Sequence, residues 1–344
     1  MKNHQGCNCH IIPPFIIDEL IKAGVDLSTQ DKAISRRFRE RRAQQLAFRS
    51  SESALVTPPT KKADRFVYDS KTTQNQRFLL VRKESGAASA DRVVNTVYEN
   101  VGLVRSYYKT TFNYLSVDNH GADLITNVHF GKAYANAFWD GDEMTFGDGD
   151  GQLFINLANA LDVTAHELTH GVVQYTAGLN YQGQSGALNE HFADVFASAI
   201  KQVVKKQTAA TADWLIGDEI MGPQLKGQAL RSMKAPGTAY NNQLMGKDPQ
   251  PAHMDTIYKG SADNGGVHIN SGIPNKVFYL VAKEIGTDKA ALLWFETLKT
   301  LKPTTNFKSF KTALLKQAKK LAKAGSVPAT TENVAKQSFL VVGL

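Results

Sequence analysis

The hydrophobic pattern changes period part-way along the chain, and that change constrains the fold more than any other feature of the sequence. Between Arg65 and about Ala137 the apolar residues fall in short alternating stretches, Phe66-Val67-Tyr68, 77–82 and 124–130, which predict strands. One helical stretch, 91–111, interrupts them. After the turn-rich Gly147-Asp148-Gly149-Asp150-Gly151 a helical period runs from about 158 to 177, and helical patterns dominate beyond residue 180. Strands first and helices afterwards predict an α+β chain: a strand-rich lobe joined by a central helix to a helical lobe, without internal repeats.

Composition narrows the class. With 42% apolar and 21% charged residues in 344, the chain can bury sizeable cores, and disorder is excluded. The formal charge of +8 would suit a polyanion partner, but residues 301–344 hold eight Lys and one Glu, so the other 300 residues are close to neutral. Lys308, Lys311, Lys316, Lys319, Lys320 and Lys323 interleave with Leu314, Leu315 and Leu321. This is an amphipathic helix with a solvated face, and no nucleic-acid motif accompanies it. No run approaches the roughly 18 apolar residues of a membrane span.

The first fifty residues have a different texture. The stretch Ile11-Ile12-Pro13-Pro14-Phe15-Ile16-Ile17 is too short and too broken for a secretory signal, so secretion without a recognisable signal peptide is expected, the alternative being a cytoplasmic chain until release. An Arg-dense segment, 34–48, predicts a small helical appendage. A polar linker follows with Ser50-Ser51-Glu52-Ser53 and Thr57-Pro58-Pro59, the composition of exposed, cleavable chain. Both cysteines, Cys7 and Cys9, lie in this region, so the remaining 335 residues admit no disulfide.

The predicted central helix carries His166-Glu167-Leu168-Thr169-His170. Imidazoles at i and i+4 share one helical face and can chelate one metal ion while the intervening Glu stands beside it. With nine His in the chain, such a motif would arise by chance roughly 0.01 times. A catalytic zinc with two His wants a third ligand, commonly a carboxylate, and an open position. Some twenty residues on, Asn189-Glu190-x-x-x-Asp194 places two carboxylates at i and i+4.

These motifs, with Asn136-Ala137-Phe138-Trp139 and Gly265-Gly266-Val267-His268-Ile269-Asn270-Ser271-Gly272, resemble the thermolysin family of zinc metalloendopeptidases in order and spacing over residues 130–280, and the match extends from about residue 65 to the carboxyl terminus. The resemblance implies that family's two-lobe α+β fold with a zinc-binding helix between the lobes. It makes His166, His170 and Glu190 the zinc ligands and Glu167 the general base. Asp194 and Asn189 become the partners that orient the ligand imidazoles. His268 and Tyr181 stabilise the developing oxyanion, and Asp263 orients His268. Asn136 and Ala137 pair with the backbone of a protein or peptide substrate, and Arg231 holds a substrate carbonyl. Phe154, Leu157, Val163, Ile216 and Leu230 line the pocket for the residue after the scissile bond. All five are apolar, which implies cleavage on the amino side of large apolar residues. The alternative from another class is an inactive relative that binds peptides or a partner, against which the intact Glu167 argues.

Two departures from the family's usual pattern stand out. Asp162, Asp213 and Asp218 match positions of its double calcium site, but Lys201 and Leu215 stand where carboxylates belong, so a Lys201 salt bridge within the cluster and at most one Ca²⁺ are expected. The short amino-terminal segment with Pro13-Pro14-Phe15 resembles the protealysin-like branch, which implies an inhibitory prosegment over residues 1–53, a catalytic lobe over 54–176 and a helical lobe over 177–344. His4, Cys7, Cys9 and His10 raise the further idea of a thiolate capping the zinc, against incidental cysteines on a mobile terminus.

Overall fold

The alternating stretches are the strands of one mixed sheet. The computed structural model describes residues 9–26 and 63–344. The strands are β1 (Cys9–His10), β2 (Arg65–Asp69), β3 (Leu79–Lys83), β4 (Leu124–Val128), β5 (Ala137–Trp139) and β6 (Met144–Phe146), in the order β1-β5-β6-β4-β2-β3. β4 runs parallel to both β2 and β6, and the other pairs are antiparallel, with a bulge between Val67 and Tyr68. The expected strand 77–82 starts later, because Phe78 precedes the first paired residue, Leu79.

Helix α1 (Pro14–Lys22) follows β1 and was not expected from the sequence. Proline at the first helical position donates no hydrogen bond and presets φ, so Pro13-Pro14 marks a helix start as much as a break. Its Ile16, Ile17 and Leu20 are buried. Helix α2 (Arg92–Phe112) matches the expected stretch. The Asp91 side chain accepts from Val93 N (2.8 Å), Val94, Val97, Val101 and Val104 make its buried stripe, and Asn113 ends it in a left-handed conformation. Helix α3 (Leu161–Tyr175) is buried continuously from Leu161 to Val173, and a short 3₁₀ turn, Leu157–Asn159, replaces the expected first residues. Gly171 lets it lie against β5, since a Cβ there would come within 2.9 Å of Val117 and 3.0 Å of Trp139. Trp139 Nε1 donates to Gln174 Oε1 (3.2 Å), tying strand to helix.

The chain divides into two compact units. One holds the described residues up to Tyr175 together with Glu219–Gly227; the other holds Thr176–Asp218 and Gln228–Leu344. Residues 219–227 join the first unit, although sequence order put them with the helices. Ile155 N donates to Ile220 O, Gly222 N donates to Leu153 O, and Phe154 bridges Met221.

The second unit contains α4 (Gly183–Val204), α5 (Ala262–Asn270), α6 (Gly272–Ile285), α7 (Thr287–Leu298), α8 (Phe307–Lys323) and α9 (Thr331–Val341). Helices do not fill it. Between α4 and α5 the chain forms two-residue ribbons, β7 (Leu215–Ile216) with β8 (Arg231–Ser232) and β9 (Asn241–Asn242) with β10 (Gly246–Lys247), because Gly217, Gly227, Gly237 and Gly246 sit at positive φ and break any helical period. The core is aromatic, with the rings of Phe278 and Trp294 centred 5.0 Å apart and Phe310 against both Trp294 and Phe192. On α8, Phe307, Phe310 and Leu314 point inward while Lys308, Lys316, Lys319, Lys320 and Lys323 are exposed. No helix among the described residues is long and apolar enough to cross a membrane.

Candidate metal centre

Within the first unit, the i, i+4 spacing on α3 brings the two imidazoles together. His166 Nε2 and His170 Nε2 lie 3.0 Å apart, with ring planes at 87°, and both side chains are buried. Two nitrogens bonded to one tetrahedral zinc at about 2.05 Å would be roughly 3.3 Å apart. The pair is therefore preset to the bite of a single ion, and two nitrogen donors of this kind fit zinc. Glu167, between them in sequence, is fully buried. Thr169 on the same helix bonds Tyr108 Oη through its hydroxyl (2.8 Å), which anchors α3 to α2.

The strand β5 faces an unexpected partner. Cys9 pairs with Trp139 and His10 with Phe138, and beyond the strand Ile11 N donates to Ala137 O (3.2 Å). Asn136 completes the pairing from its side chain: Oδ1 accepts from Ile12 N (3.0 Å) and Nδ2 donates to Ile12 O (3.1 Å). Asn136 and Ala137, which the resemblance assigns to substrate pairing, are thus bonded here to the chain's own residues 11 and 12. Cys9 is buried, with its sulfur within 4.8 Å of a ring nitrogen of His170. Cys9 is disulfide-bonded, so it carries no thiolate with which to cap a zinc. His4, Cys7, the appendage 34–48 and the linker 50–62 lie outside the described residues. Of the pocket residues, Phe154, Leu157 and Val163 belong to this unit and are fully buried.

Within the second unit, a separate cluster forms around Glu190 on α4. Tyr181 Oη donates to Glu190 Oε1, and it lies 3.1 Å from His268 Nε2, which is itself 3.6 Å from Glu190 Oε1. On the other side of the ring His268 Nδ1 meets Asp263 Oδ1 at 2.5 Å, while Asp263 Oδ2 accepts the backbone N–H groups of His268 (2.7 Å) and Ile269 (3.2 Å). Burial opposes a charge on His268, but Glu190 and Asp263 outweigh it and raise its pKa to about 9.

The backbone explains how Asp263 reaches back to His268. Asp263, Asn264, Gly265 and Gly266 are successively left-handed, with φ of 53°, 50°, 78° and 79°. Asp, Asn and Gly are the residues that adopt this region most readily, so Asp263-Asn264-Gly265-Gly266 is the sequence form of the turn. A Cβ on Gly266 would sit 2.7 Å from Tyr258 Cδ1, and one on Gly186 would sit 2.4 Å from Val267 and 2.9 Å from the Tyr181 backbone, so both glycines are also demanded by close approach. Gln250 was not foreseen: its Nε2 donates to His268 O (2.8 Å), fixing the histidine from behind.

Asp194, one turn past Glu190, is gripped by Arg231, whose Nε and Nη2 donate to its two oxygens at 2.8 Å each. Both are buried, and although burial opposes the guanidinium charge, Asp194 more than restores it. Asn189 Nδ2 donates to Leu179 O (3.2 Å), bracing α4 against the preceding loop. Leu230 donates its N–H to Ile216 O and its side chain is buried. Lys201 is buried and pairs with Asp218, as the calcium argument expected, while Asp213 is exposed and accepts from Leu215 N (2.9 Å).

The same arrangement of motifs exists elsewhere. Residues 40–174 match the catalytic domain of thermolysin metallopeptidases, and residues 177–343 match their α-helical domain. The chain belongs to the thermolysin metallopeptidase family. An extracellular metalloprotease of Pectobacterium carotovorum subsp. carotovorum is 39% identical over 98% of this chain and 96% of its own length. Thermolysin of Alicyclobacillus acidocaldarius subsp. acidocaldarius is also 39% identical, over 75% of this chain but 46% of its own. Among solved structures, the precursor of protealysin, a metalloproteinase from Serratia proteamaculans, superposes with a TM-score of 0.83 at 37% identity, covering 97% of this chain and 99% of that one. As a member of this family the protein is a zinc metalloendopeptidase.

Proposed function

We propose that this chain is a zymogen whose amino-terminal segment lies on its own substrate-binding strand. One observation carries this reading: residues 9–12 bond to β5 and Asn136, the groups that a peptide substrate would use in strand addition. Ile11, Ile12, Ile16, Ile17 and Leu20 are buried, which at about 1.5–3 kcal/mol each supports firm seating. The protealysin precursor covers the same length of chain, in line with a removable segment ending near residue 53. Lobes over 54–176 and 177–344 remain after that removal.

In the active enzyme His166, His170 and Glu190 would hold the zinc. Bound there, zinc supplies a Lewis acid for the scissile carbonyl and lowers the pKa of water. Glu167 takes the proton of the attacking water and delivers it to the leaving amine. Tyr181 and His268 donate to the carbonyl oxygen as its charge grows. Asp263 keeps the His268 ring turned with Nε2 outward, which its three hydrogen bonds to that residue and Ile269 support. Asp194 and Asn189 hold the ligand shell in place. Arg231 orients a substrate carbonyl as well as Asp194. Phe154, Leu157, Val163, Ile216 and Leu230 favour a large apolar residue after the scissile bond. The Lys201 ammonium takes the place of a cation beside Asp218, so at most one Ca²⁺ binds. Similarity to the extracellular metalloprotease of Pectobacterium supports action outside the cell on protein substrates.

Two experiments test this. Purified precursor is incubated and followed by mass and casein hydrolysis together: activity should rise as roughly fifty residues are lost, and full activity of the intact chain would refute latency. Ile12→Pro removes the N–H that Asn136 accepts and should bring activation forward. The zinc assignment predicts that a chelator and Glu167→Ala each abolish hydrolysis.

A further inference from the structure

Behind Asp194 the second unit holds a chain of buried polar groups with a single direction. Trp294 Nε1 donates to His191 Nε2 (2.6 Å), His191 Nδ1 lies 2.7 Å from Asn275 Oδ1, and Asn275 Nδ2 donates to Asp194 Oδ2 (2.9 Å). All four side chains are fully buried. An indole N–H can only donate, so His191 Nε2 must accept and its hydrogen must sit on Nδ1. That hydrogen is aimed at Asn275, whose amide must present oxygen to the ring and therefore nitrogen to Asp194. The indole at one end and the carboxylate at the other thus impose the same tautomer on His191 and the same amide orientation on Asn275.

We infer that Trp294, His191 and Asn275 are positioning residues that fix the carboxylate of Asp194, and through it the geometry of the zinc site. This rests on the proposed role of Asp194 in orienting a ligand imidazole. With Arg231 donating to both oxygens and Asn275 to Oδ2, three donors hold the carboxylate against rotation. Each joint draws on a different helix: His191 and Asp194 on α4, Asn275 on α6 and Trp294 on α7. A buried carboxylate so constrained can present its remaining acceptor capacity in one direction only. Once the indole donor is removed, His191 Nε2 loses its partner, and the imidazole and the Asn275 amide are held from the Asp194 end alone, which loosens the chain behind the carboxylate.

Zinc affinity of the full chain, stripped of metal and titrated with zinc against a chelator, tests the relay, with kcat and KM on a peptide after activation as the second readout. Asn275→Asp, which places a second carboxylate against Asp194, should weaken zinc binding about tenfold and lower kcat more than KM. Trp294→Phe keeps the ring packing and should weaken zinc about threefold. Phe278→Leu loosens the same core, its ring lying 5.0 Å from that of Trp294, and should lower thermal stability without changing zinc affinity. Equal zinc affinity in Trp294→Phe and the parent overturns the relay; if Asn275→Asp does not fold, Trp294→Phe alone decides. His166→Ala separates the two readings. If it binds zinc like the parent, the zinc assignment fails and the relay with it, whereas if it loses zinc while both relay variants bind normally, only the relay fails.

Discussion

The helix α3 and the turn that begins α5 place their histidines by opposite means. In α3 an ordinary helical repeat suffices: His166 and His170 converge because residues four apart share a face, and their nitrogens lie 3.0 Å apart without any unusual backbone. In Asp263–Gly266 four consecutive left-handed residues bend the chain so that Asp263 can hold His268 at 2.5 Å. A site made by periodicity tolerates side-chain exchange without loss of fold, whereas one made by a strained backbone couples catalysis to stability.

The largest expected effect tests the first half of that contrast. Glu167→Gln should lower kcat by about 10²–10⁴-fold while zinc content and thermal stability stay near those of the parent; unfolding of this variant would show that α3 is not modular. Gly266→Ala comes next. Its φ of 79° and the 2.7 Å approach to Tyr258 should cost about 2–4 kcal/mol of stability, read by denaturant unfolding, with a parallel fall in kcat. Gly325→Ala, at a φ of 70° with open space around it, should lose only about 1 kcal/mol and leave catalysis alone.

Asp263→Asn should reduce kcat about tenfold or more with little change in KM, because an amide in either orientation turns a donor toward His268 Nδ1 or toward the backbone N–H groups of His268 and Ile269. A pH-dependent effect lies in the strand-rich unit and shows that it too contains long-range devices. His129 bridges Asp148 (2.9 Å) and Asp91 (2.9 Å), and hydrogen bonding to Asp148, against burial, raises its pKa to about 9. A raised pKa stabilises the fold fully below about 6.5, and that contribution is lost as pH climbs through about 9. Stability measured from pH 6 to 10 should fall by about 1–3 kcal/mol more in the parent than in His129→Gln.

Legibility in the sequence followed the range of the interactions. His166-Glu167-x-x-His170 and the helical stretch 91–111 are local devices, and residue identity and period at fixed spacing disclose them. Helix α1 was not legible, because Pro14 reads equally as a break until the burial of Ile16, Ile17 and Leu20 is known. The ribbons between α4 and α5 interrupt a region that looked helical throughout, because glycine at positive φ decides there and sequence period does not. Gln250, Asn275 and Trp294 carried no signal at all, being separated from their partners by 18, 81 and 103 residues.

The sequence by itself determined the strand-to-helix division, the helix with its two converging imidazoles and the identity of the groups available for chemistry, since periodicity and spacing act over a few residues. Tertiary structure alone decided that residues 11 and 12 bond to Ala137 and Asn136, that Arg231 grips Asp194, and that Trp294, His191 and Asn275 form one chain of hydrogen bonds behind it. Those outcomes depend on which buried donors meet which acceptors across long loops, and no short-range rule encodes that meeting.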